Sequence, residues 1–571
     1  MRVRQPATVV PYAVAALVSF IVLGPALGRE VVLAYDLAWS PDPRFTPFSL
    51  GSDGSVPRAV PSDAVAIALG HVLGAGPAQG LVLFATLVLA GVGAARLAAL
   101  LAPDLALGPR LVAVIAAIWN PFVLERLVIG HWTVLLAYAA VPHLLVSCAK
   151  VRRDLRPAWS PAVGVAACGV GGANALVIAA LAVLVVLAVP RARWQALAYA
   201  AGATVGVSLV WALPALVSGV VSAPAGVAAF AARADTPLGV LASVATGGGL
   251  WNPATHPVER SSVLVAAGAL LLVLASVAAG VRAARDEALL ALAAPAVLGL
   301  VLAWLSALDP FGLWSAVVLQ LPGGGILRDA HKLIAPWVVL TAAGMAVLAR
   351  DVMRVRGAGP VLVVVLAALP CTLLPSLTWG VGGRVSAVEV PTDLRSVTAE
   401  LSAAGEGTVG LLPWSQYRRY DWNERRVSLT LIPRMVDHPV LFDDSLPLQD
   451  LSVPGENPAA RRVTERIGQG VDPVQALAAE GVRWVVIEKR SGLSAAAAVD
   501  VADLPTGSSV VRDGPSVTVV ELSSVEGRAA GLSRIGLIGW VATCLTWLTA
   551  AACLTRGSYL SRRDRLVRSR S

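Results

Sequence analysis

Residues 78–96, AQGLVLFATLVLAGVGAAR, form an apolar run whose only charge is its final arginine. An apolar run of about 20 residues crosses the ~30 Å hydrocarbon core of a bilayer as an α-helix. Similar runs recur along the chain, and we predict about twelve transmembrane helices. They lie near 7–28, 78–96, 110–124, 132–149, 158–170, 173–190, 195–219, 263–281, 287–306, 333–349, 358–377 and 533–554.

The composition of the whole chain agrees with this interpretation. Of 571 residues, 56% are hydrophobic and 14% are charged, and the mean hydropathy is +0.72. Soluble domains have about a quarter of their residues charged. The composition therefore excludes an ordinary soluble enzyme and a disordered chain, and it predicts an α-helical polytopic membrane protein.

The basic residues fall in alternate connections between the apolar runs. The connections that we assign to the cytoplasm, with both termini, hold 21 Lys and Arg against 6 Asp and Glu, whereas the opposite short loops hold 8 against 10. Lys and Arg mark cytoplasmic connections. We therefore expect both termini in the cytoplasm of a plasma-membrane protein. The net charge of +9 is interpreted as cytoplasmic loop charge and not as a surface for nucleic acid.

This topology divides the chain into three parts. Residues 1–377 are predicted to form a transmembrane module of eleven helices with a long first outer loop at 29–77. Residues 378–532 have an ordinary charge content and form an extracytoplasmic domain, and residues 533–571 contain the last transmembrane helix and a basic tail. Inside the first loop, a surface helix is expected to begin after Ser62 as its N-cap.

Local patterns in residues 378–532 alternate between strand and helix. A run of β-branched and aromatic residues bounded by Gly or Pro is typical of a strand. The domain is therefore predicted to be mixed α/β. The expected elements are strands at 407–414 and 483–488, a helix at 473–480 and a hairpin at 509–522.

Two runs are short and adjoin breaks, at 119–121 and 169–174. Irregular backbone at membrane depth is tolerated only where protein or a water-filled cavity covers it. These breaks indicate either plain loops between short tilted helices or a cavity open to the outer side.

Three potential cations precede the tenth apolar run, within the segment GGGILRDAHK at 323–332. The planar fork of Arg328 matches phosphate oxygens, and Lys332 adds a point charge. With His331 they are candidates for binding the phosphate of a lipid-linked donor. The alternative is an interfacial anchor whose side chains reach lipid headgroups.

Aromatic and charged residues alternate in LLPWSQYRRYDW at 411–422. Sugar faces stack on aromatic rings, which makes this segment a candidate site for an acceptor glycan. The alternative is a strand edge whose aromatic residues belong to the core. The candidates are Trp414, Tyr417, Tyr420 and Trp422.

The sequence gives no sign of a metal centre. None of the six histidines has HxxxH or HExxH spacing, and none of the five cysteines forms a CxxC pair. Such spacings mark zinc hydrolases and zinc sites. We therefore expect no metal and no disulfide framework.

A resemblance to a known family rests on the acidic first outer loop, the segments at 323–332 and 411–422, WNPFVLERLVIGHW at 119–132 and EGVRWVVIE at 480–488. In these features the chain resembles GT-C-type membrane glycosyltransferases. More narrowly, it is similar to actinobacterial arabinofuranosyltransferase-like and mannosyltransferase-like proteins and to YfhO-like membrane proteins. The resemblance covers nearly the full chain.

The resemblance implies transfer of arabinofuranose or mannose from a polyprenyl phosphate to a cell-envelope glycan, with no further cofactor. It implies an acidic residue of the first outer loop as base, for which Asp36 is the closest match and Asp42 the second. Arg328 and Lys332 would hold the donor phosphate. Glu125, Arg126 and His131 would complete the cavity wall.

Two other functions stay open at this stage. One is a transporter or flippase for a lipid-linked sugar, which would favour internal repeats and charges at mid-membrane. The other is a non-catalytic assembly protein whose outer domain binds glycan or protein. Polarity concentrated on one side of the membrane favours the transferase.

Overall fold

The computed structural model describes residues 6–188, 193–217, 224–321, 323–447, 452–492, 507–522 and 532–568. In this part of the chain, ten helices are long and apolar enough to cross a membrane, or eleven if the bent pair Gly359–Leu373 and Pro375–Gly382 is one span. The predicted fold class, a polytopic helical membrane protein with an added α/β region, is confirmed.

The α-helices, in chain order, are α1 (Pro6–Leu23), α2 (Pro47–Leu50), α3 (Ser62–Leu73), α4 (Ala75–Leu101), α5 (Leu107–Ile118), α6 (Pro121–Val128), α7 (Trp132–Arg152), α8 (Ser160–Cys168), α9 (Gly172–Ala188), α10 (Trp194–Val217), α11 (Pro224–Ala229), α12 (Gly239–Ala245), α13 (Val263–Ala283), α14 (Glu287–Leu290), α15 (Ala293–Leu308), α16 (Leu313–Gln320), α17 (Ala335–Met353), α18 (Gly359–Leu373), α19 (Thr378–Gly382), α20 (Thr392–Ala404), α21 (Pro458–Gly468), α22 (Pro473–Ala478) and α23 (Arg534–Arg568). The strands are β1 (Val31–Ala34), β2 (Leu37–Ala38), β3 (Ala387–Val388), β4 (Thr408–Leu412), β5 (Tyr417–Arg419), β6 (Val427–Leu429), β7 (Val440–Leu441), β8 (Leu446–Pro447), β9 (Ser452–Val453), β10 (Val482–Glu488), β11 (Ser509–Asp513) and β12 (Val517–Glu521).

The number of spans differs from the predicted twelve because the runs at 158–170 and 173–190 count as one apolar helical stretch, 160–188. This stretch nevertheless doubles back at Gly172, whose φ is +66°. Gly171 lies against Thr133 at the beginning of α7, whereas the carbonyl of Val186 accepts a 3.0 Å hydrogen bond from Arg152 at the end of α7. The two predicted runs are thus the arms of a hairpin.

The basic connections meet at one end of the bundle. Ion pairs join residues of different connections there: Arg153 with Asp286, Arg193 with Asp154, Arg350 with Asp104, and Arg282 with Asp351. The α/β region lies at the opposite end, which we call the domain side. The charge asymmetry found in the sequence therefore corresponds to two physical ends of the molecule.

The α/β region is built on a five-stranded sheet in the order β11-β12-β10-β4-β7. Strands β10, β4 and β7 run parallel, and β12 is antiparallel to β10 and β11. Leu412, Val463, Leu477 and Val485 belong to a second core beneath this sheet. The predicted strands, helix and hairpin of this region are confirmed in type.

The first loop joins the bundle to the α/β region. Strand β1 pairs with β2 and also with β3, at the beginning of the α/β region. The predicted surface helix is α3, but its N-cap is Pro61, and Ser62 is its first residue. Ser62 Oγ instead donates a 3.0 Å hydrogen bond to the carbonyl of Ala59.

Candidate active site

Asp36 lies in the tight turn between β1 and β2, and both the bundle and the α/β region hold this turn. The backbone N–H of Tyr35 donates to Val427 at 2.6 Å, and the carbonyl of Tyr35 accepts from Leu429 at 2.9 Å. From the bundle, Ile129 accepts a 3.1 Å hydrogen bond from the Asp36 N–H. The turn is therefore fixed from two sides.

Gly130 permits this close approach. A Cβ at Gly130 would lie 2.1 Å from the backbone nitrogen of Leu37 and 2.4 Å from the carbonyl of Ala34. Its φ of +78° also belongs to the left-handed region that favours glycine. The glycine of the segment at 119–132 is thus needed to seat the first loop on the bundle.

The carboxylate of Asp36 faces two donors and solvent. Tyr417 Oη donates to Oδ1 at 3.1 Å, and His131 Nε2 lies 3.3 Å from Oδ2. The side chain remains 40% exposed. Burial opposes ionisation, but His131, Tyr417 and the charge of Arg434 outweigh it and lower the pKa of Asp36.

Behind His131, the buried guanidinium of Arg126 binds three partners. It donates to both carboxylate oxygens of Asp329, at 2.8 and 3.3 Å. It also contacts Nδ1 of His131 at 2.6 Å and Nδ1 of His331 at 2.8 Å. Burial raises the pKa of Asp329, but the charge and hydrogen bonds of Arg126 overcome this and lower it.

Helix α6 places Glu125 and Arg126 at this depth because it begins at the break predicted at 119–121. Pro121 is its first residue, and Asn120 caps it by accepting from the N–H of Val123 at 3.0 Å. Glu125 is buried and accepts hydrogen bonds from Gly249 and Leu250, at 3.1 and 3.2 Å. Glu125 therefore anchors the loop at 247–250. Because it is fully buried, it does not line an open cavity, and the predicted role in the cavity wall is corrected.

Two guanidinium groups share one carboxylate on the other flank of Asp36. Arg328 binds Glu456 at 2.9 Å, and Arg58 binds the same carboxylate at 2.7 Å. The side chains of Arg58 and Arg328 are 41% and 23% exposed. Burial opposes ionisation of Glu456, but the two arginines lower its pKa. The Arg328 guanidinium also lies over the ring of Phe230, 4.5 Å from its centroid.

Two neighbouring sets of polar contacts lie here, and we call them together the polar ring. Burial and the Asp36 charge hold the pKa of Tyr417 well above its usual value, against the opposing charge of Arg58. The ring lies on the domain side and combines residues of the first loop, α6, the 323–334 segment and the α/β region. Its members are Asp36, Arg58, Arg126, His131, Arg328, Asp329, Tyr417 and Glu456.

The structure separates Arg328 from its predicted partners. His331 and Lys332 are buried, and the Lys332 ammonium donates to Asn174 at 2.6 Å and to the carbonyl of Ile326 at 2.5 Å. Neither side chain faces an external phosphate. We therefore correct the predicted trio: Arg328 is partly exposed and pairs with Glu456, whereas His331 and Lys332 are buried beneath it.

Asp42 does not join Asp36. Its carboxylate forms a two-point ion pair with Arg395, at 2.5 and 2.8 Å. The side chains of both residues are partly exposed. This pairing gives Asp42 a role in joining the first loop to α20, and the expectation that it shares a site with Asp36 is corrected.

Of the four aromatic candidates, Tyr417 contacts Asp36. Trp414 donates to Thr464 at 2.9 Å. Tyr420 is buried against Glu488, with its hydroxyl 2.5 Å from Oε1, and Trp422 stacks on it at 4.5 Å. The alternative, aromatic residues of the domain core, fits Tyr420 and the stacked Trp422, and Trp414 packs against the core beneath the five-stranded sheet.

Sequence patterns missed three members of the ring: Arg58, Asp329 and Glu456. Arg58 and Asp329 lie in segments that the sequence singles out, but nothing distinguishes them there from ordinary loop charges. Glu456 is 128 residues from Arg328 in the chain. No local pattern indicates a pairing over that separation.

Among solved structures, the chain is similar to arabinofuranosyltransferase AftD from Mycobacteria, with a TM-score of 0.60 and 18% identity over 90% of this chain. A mutant form of AftD gives a TM-score of 0.58 at 17% identity. The chain has a GT-C-like fold. It spans about 40% of the length of AftD.

Archaeal oligosaccharyltransferase AglB from Archaeoglobus fulgidus matches at a TM-score of 0.36 and 13% identity, over 86% of this chain and 70% of that one. No protein-family model matches the chain. No curated protein matches it either. The likeness to AftD therefore concerns the fold, and the reaction has to be argued from the polar ring.

Proposed function

We propose that this chain is a glycosyltransferase that moves arabinofuranose or mannose from a polyprenyl phosphate to a cell-envelope glycan, on the outer face of the plasma membrane. The observation that carries this proposal is the polar ring, which combines a partly exposed Asp36 carboxylate of lowered pKa with the guanidinium groups of Arg58 and Arg328. Transfer from a phosphate-linked donor requires a base for the acceptor hydroxyl and a group that binds the donor phosphate, and the polar ring contains a candidate for each.

Asp36 is proposed as the general base. It accepts the proton of an acceptor hydroxyl while the acceptor oxygen forms the new bond to the sugar C1 atom. The bond between C1 and the phosphate oxygen breaks, and polyprenyl phosphate leaves with the bonding electrons. General base catalysis of this kind contributes about 10²–10⁴-fold to the rate.

Arg328 and Arg58 are proposed to bind the donor phosphate. Their guanidinium groups already bind one carboxylate between them, and phosphate oxygens have similar charge and geometry. Binding of the donor would replace Glu456 as their partner. Because negative charge grows on the departing phosphate, both arginines also stabilise the transition state.

Apolar surface beside the two arginines suits the remainder of the donor. Phe230 lies under Arg328 and meets Trp251 edge to face, with ring centroids 4.7 Å apart. Tyr35 packs against the same small cluster. We assign the partly exposed rings of Phe230 and Tyr35 to the sugar face and to the first units of the prenyl chain, which then continues into the bilayer.

The proposed reaction uses no cofactor besides the lipid-linked donor, and no divalent metal. Tyr417 and His131 lie against the two oxygens of Asp36 as donors, which keeps the carboxylate ionised and fixes its orientation. The concentration of ring residues on the domain side also favours chemistry on one face over alternating access.

The experiment is a transfer assay with the full-length protein in lipid nanodiscs, using polyprenyl-phosphate arabinofuranose and mannose as donors and an oligosaccharide as acceptor. Asp36→Asn should lower the turnover by at least about 100-fold. Asp42→Asn is the matched control and should change turnover by less than about threefold, because Asp42 binds Arg395. Equal activity of Asp36→Asn and the unmodified protein would contradict the proposal.

A further inference from the structure

Arg126 determines which nitrogen of two histidines carries the proton. A guanidinium group has only N–H donors and keeps its charge at physiological pH. Its two terminal nitrogens contact Nδ1 of His131 at 2.6 Å and Nδ1 of His331 at 2.8 Å. A ring nitrogen that faces a donor at this distance must accept, so each ring carries its proton on Nε2.

The two Nε2 atoms face acceptors, as this assignment requires. His331 Nε2 lies 2.9 Å from the carbonyl oxygen of Gly248. His131 Nε2 lies 3.3 Å from Oδ2 of Asp36. The Arg126 guanidinium group thus sets the tautomers of both histidines. The Nε2 of His331 then donates to the backbone, and the Nε2 of His131 donates to Asp36, the candidate base.

We propose that Arg126 and His131 are positioning residues for Asp36: Arg126 holds His131 as the neutral tautomer protonated on Nε2, and that N–H keeps the Asp36 carboxylate ionised and oriented towards the acceptor. This role rests on the proposed function, in which Asp36 is the base. His131 does not itself take up the acceptor proton, because Arg126 occupies its accepting nitrogen.

The surroundings of the pair stabilise this arrangement. Asp329 binds Arg126 through both oxygens, which fixes the plane of the guanidinium group. A proton on Nδ1 of His131 would place an N–H against an N–H of Arg126, so the tautomer protonated on Nδ1 is disfavoured there. Asp36 itself faces Tyr417 from the α/β region and the charge of Arg434, in addition to His131.

The tautomer can be measured without substrate. The probe is the full-length protein with ¹⁵N-labelled histidine, in lipid bilayers, and the His131 signals are assigned by their loss in His131→Asn. We expect His131 to show a protonated Nε2 and an unprotonated Nδ1. A proton on Nδ1 would overturn the proposal.

Two variants separate positioning from packing. His131→Asn keeps an acceptor for Arg126 but loses the donor towards Asp36, whereas His131→Gln keeps a donor at the ε position and loses the acceptor. We expect His131→Asn to move the acidic limb of the kcat/KM profile up by about 1 pH unit, and His131→Gln to move it less. An acidic limb unchanged in His131→Asn would contradict the proposal.

Failure of this inference and failure of the proposed function give different results. If Asp36 is not the base, Asp36→Asn stays active whatever the nitrogen spectrum shows. If Asp36 is the base but His131 does not position it, Asp36→Asn is inactive and the His131 variants keep the unmodified pH profile. If neither His131 variant folds, the nitrogen spectrum of the unmodified protein alone tests the tautomer of His131. A ¹⁵N-labelled sample of His331→Asn then removes the His331 signals, which overlap those of His131.

Discussion

Tyr417 donates a 3.1 Å hydrogen bond to Asp36, although 381 residues separate them in the chain. Asp36 belongs to the loop after the first helix, and Tyr417 begins β5 in the α/β region. Adjacent backbone hydrogen bonds between Tyr35 and β6 hold the two segments together. The α/β region therefore contributes directly to the candidate site and is not merely attached to the bundle.

This contact predicts the effect of Tyr417→Phe. The variant removes a donor that helps to lower the pKa of Asp36, so that pKa should rise towards its ordinary value. A base with a raised pKa is protonated at a higher pH, and the acidic limb of kcat/KM should therefore shift upward. The measurement is the pH profile of transfer in nanodiscs.

The matched control for Tyr417→Phe is Tyr420→Phe. Tyr420 donates to the buried Glu488 and does not contact Asp36. Its replacement should reduce the stability of the α/β region while leaving the acidic limb in place. A shift of equal size in both variants would show that the limb reports on the fold and not on the Tyr417 contact.

Local sequence signals were sufficient to predict the helices and the main strands. Long apolar runs have few alternatives in a membrane because the backbone must satisfy its own hydrogen bonds. For the same reason, the break at 119–121 is visible in the sequence. The break at 169–174 is visible in the sequence as well, but the hairpin that it forms depends on the positive φ of Gly172, which the sequence pattern does not reveal.

The candidate site was only partly predictable. Asp36 was proposed from the resemblance to GT-C-type enzymes, and Arg328 from its place in a cation-rich segment before the tenth apolar run. Glu456 was missed because its role arises from two arginines in distant loops. His331 and Lys332 were misassigned because sequence spacing does not reveal which side chains of the 323–334 segment point inward.

The pair Arg58 and Arg328 predicts a loss of donor affinity. Arg58→Ala and Arg328→Ala should each raise KM for the polyprenyl-phosphate donor, by about 10-fold or more, since a charged hydrogen bond is worth about 1.5–3 kcal/mol. Lysine at either position should restore part of the loss because it keeps the charge but not the fork. Initial rates at varied donor concentration give KM.

The control for the arginine pair is Arg425→Ala, which removes an exposed charge of the same region that pairs with Asp421. It should leave KM for the donor unchanged. If Arg58→Ala and Arg328→Ala alter only kcat, or leave both parameters unchanged, the two arginines do not bind the donor phosphate in the ground state.

A buried ion pair behind the ring predicts an effect on stability. Arg260 binds Asp235 at 2.5 and 2.9 Å, and both side chains are almost completely buried. Arg260→Met leaves an unpaired buried carboxylate, for which the expected cost is about 3–5 kcal/mol. Thermal unfolding of the protein in detergent should show a clearly lower Tm.

Replacing both partners of this pair tests the cause of that loss. Asp235→Asn combined with Arg260→Met removes the unpaired charge, so the double variant should be more stable than Arg260→Met alone. If both are equally unstable, the loss comes from packing of the Arg260 side chain and not from the unpaired buried charge of Asp235.

The two ends of the molecule predict a labelling pattern. Arg461 is exposed on α21 of the α/β region, and Arg354 lies at the basic end, where its side chain is 67% exposed. Because basic connections favour the cytoplasm, a membrane-impermeant maleimide should label Arg461→Cys in intact cells and Arg354→Cys only after permeabilisation. The unmodified chain, with its five cysteines in apolar runs, gives the background. The reverse pattern would place the polar ring in the cytoplasm, where transfer to an outer glycan is impossible.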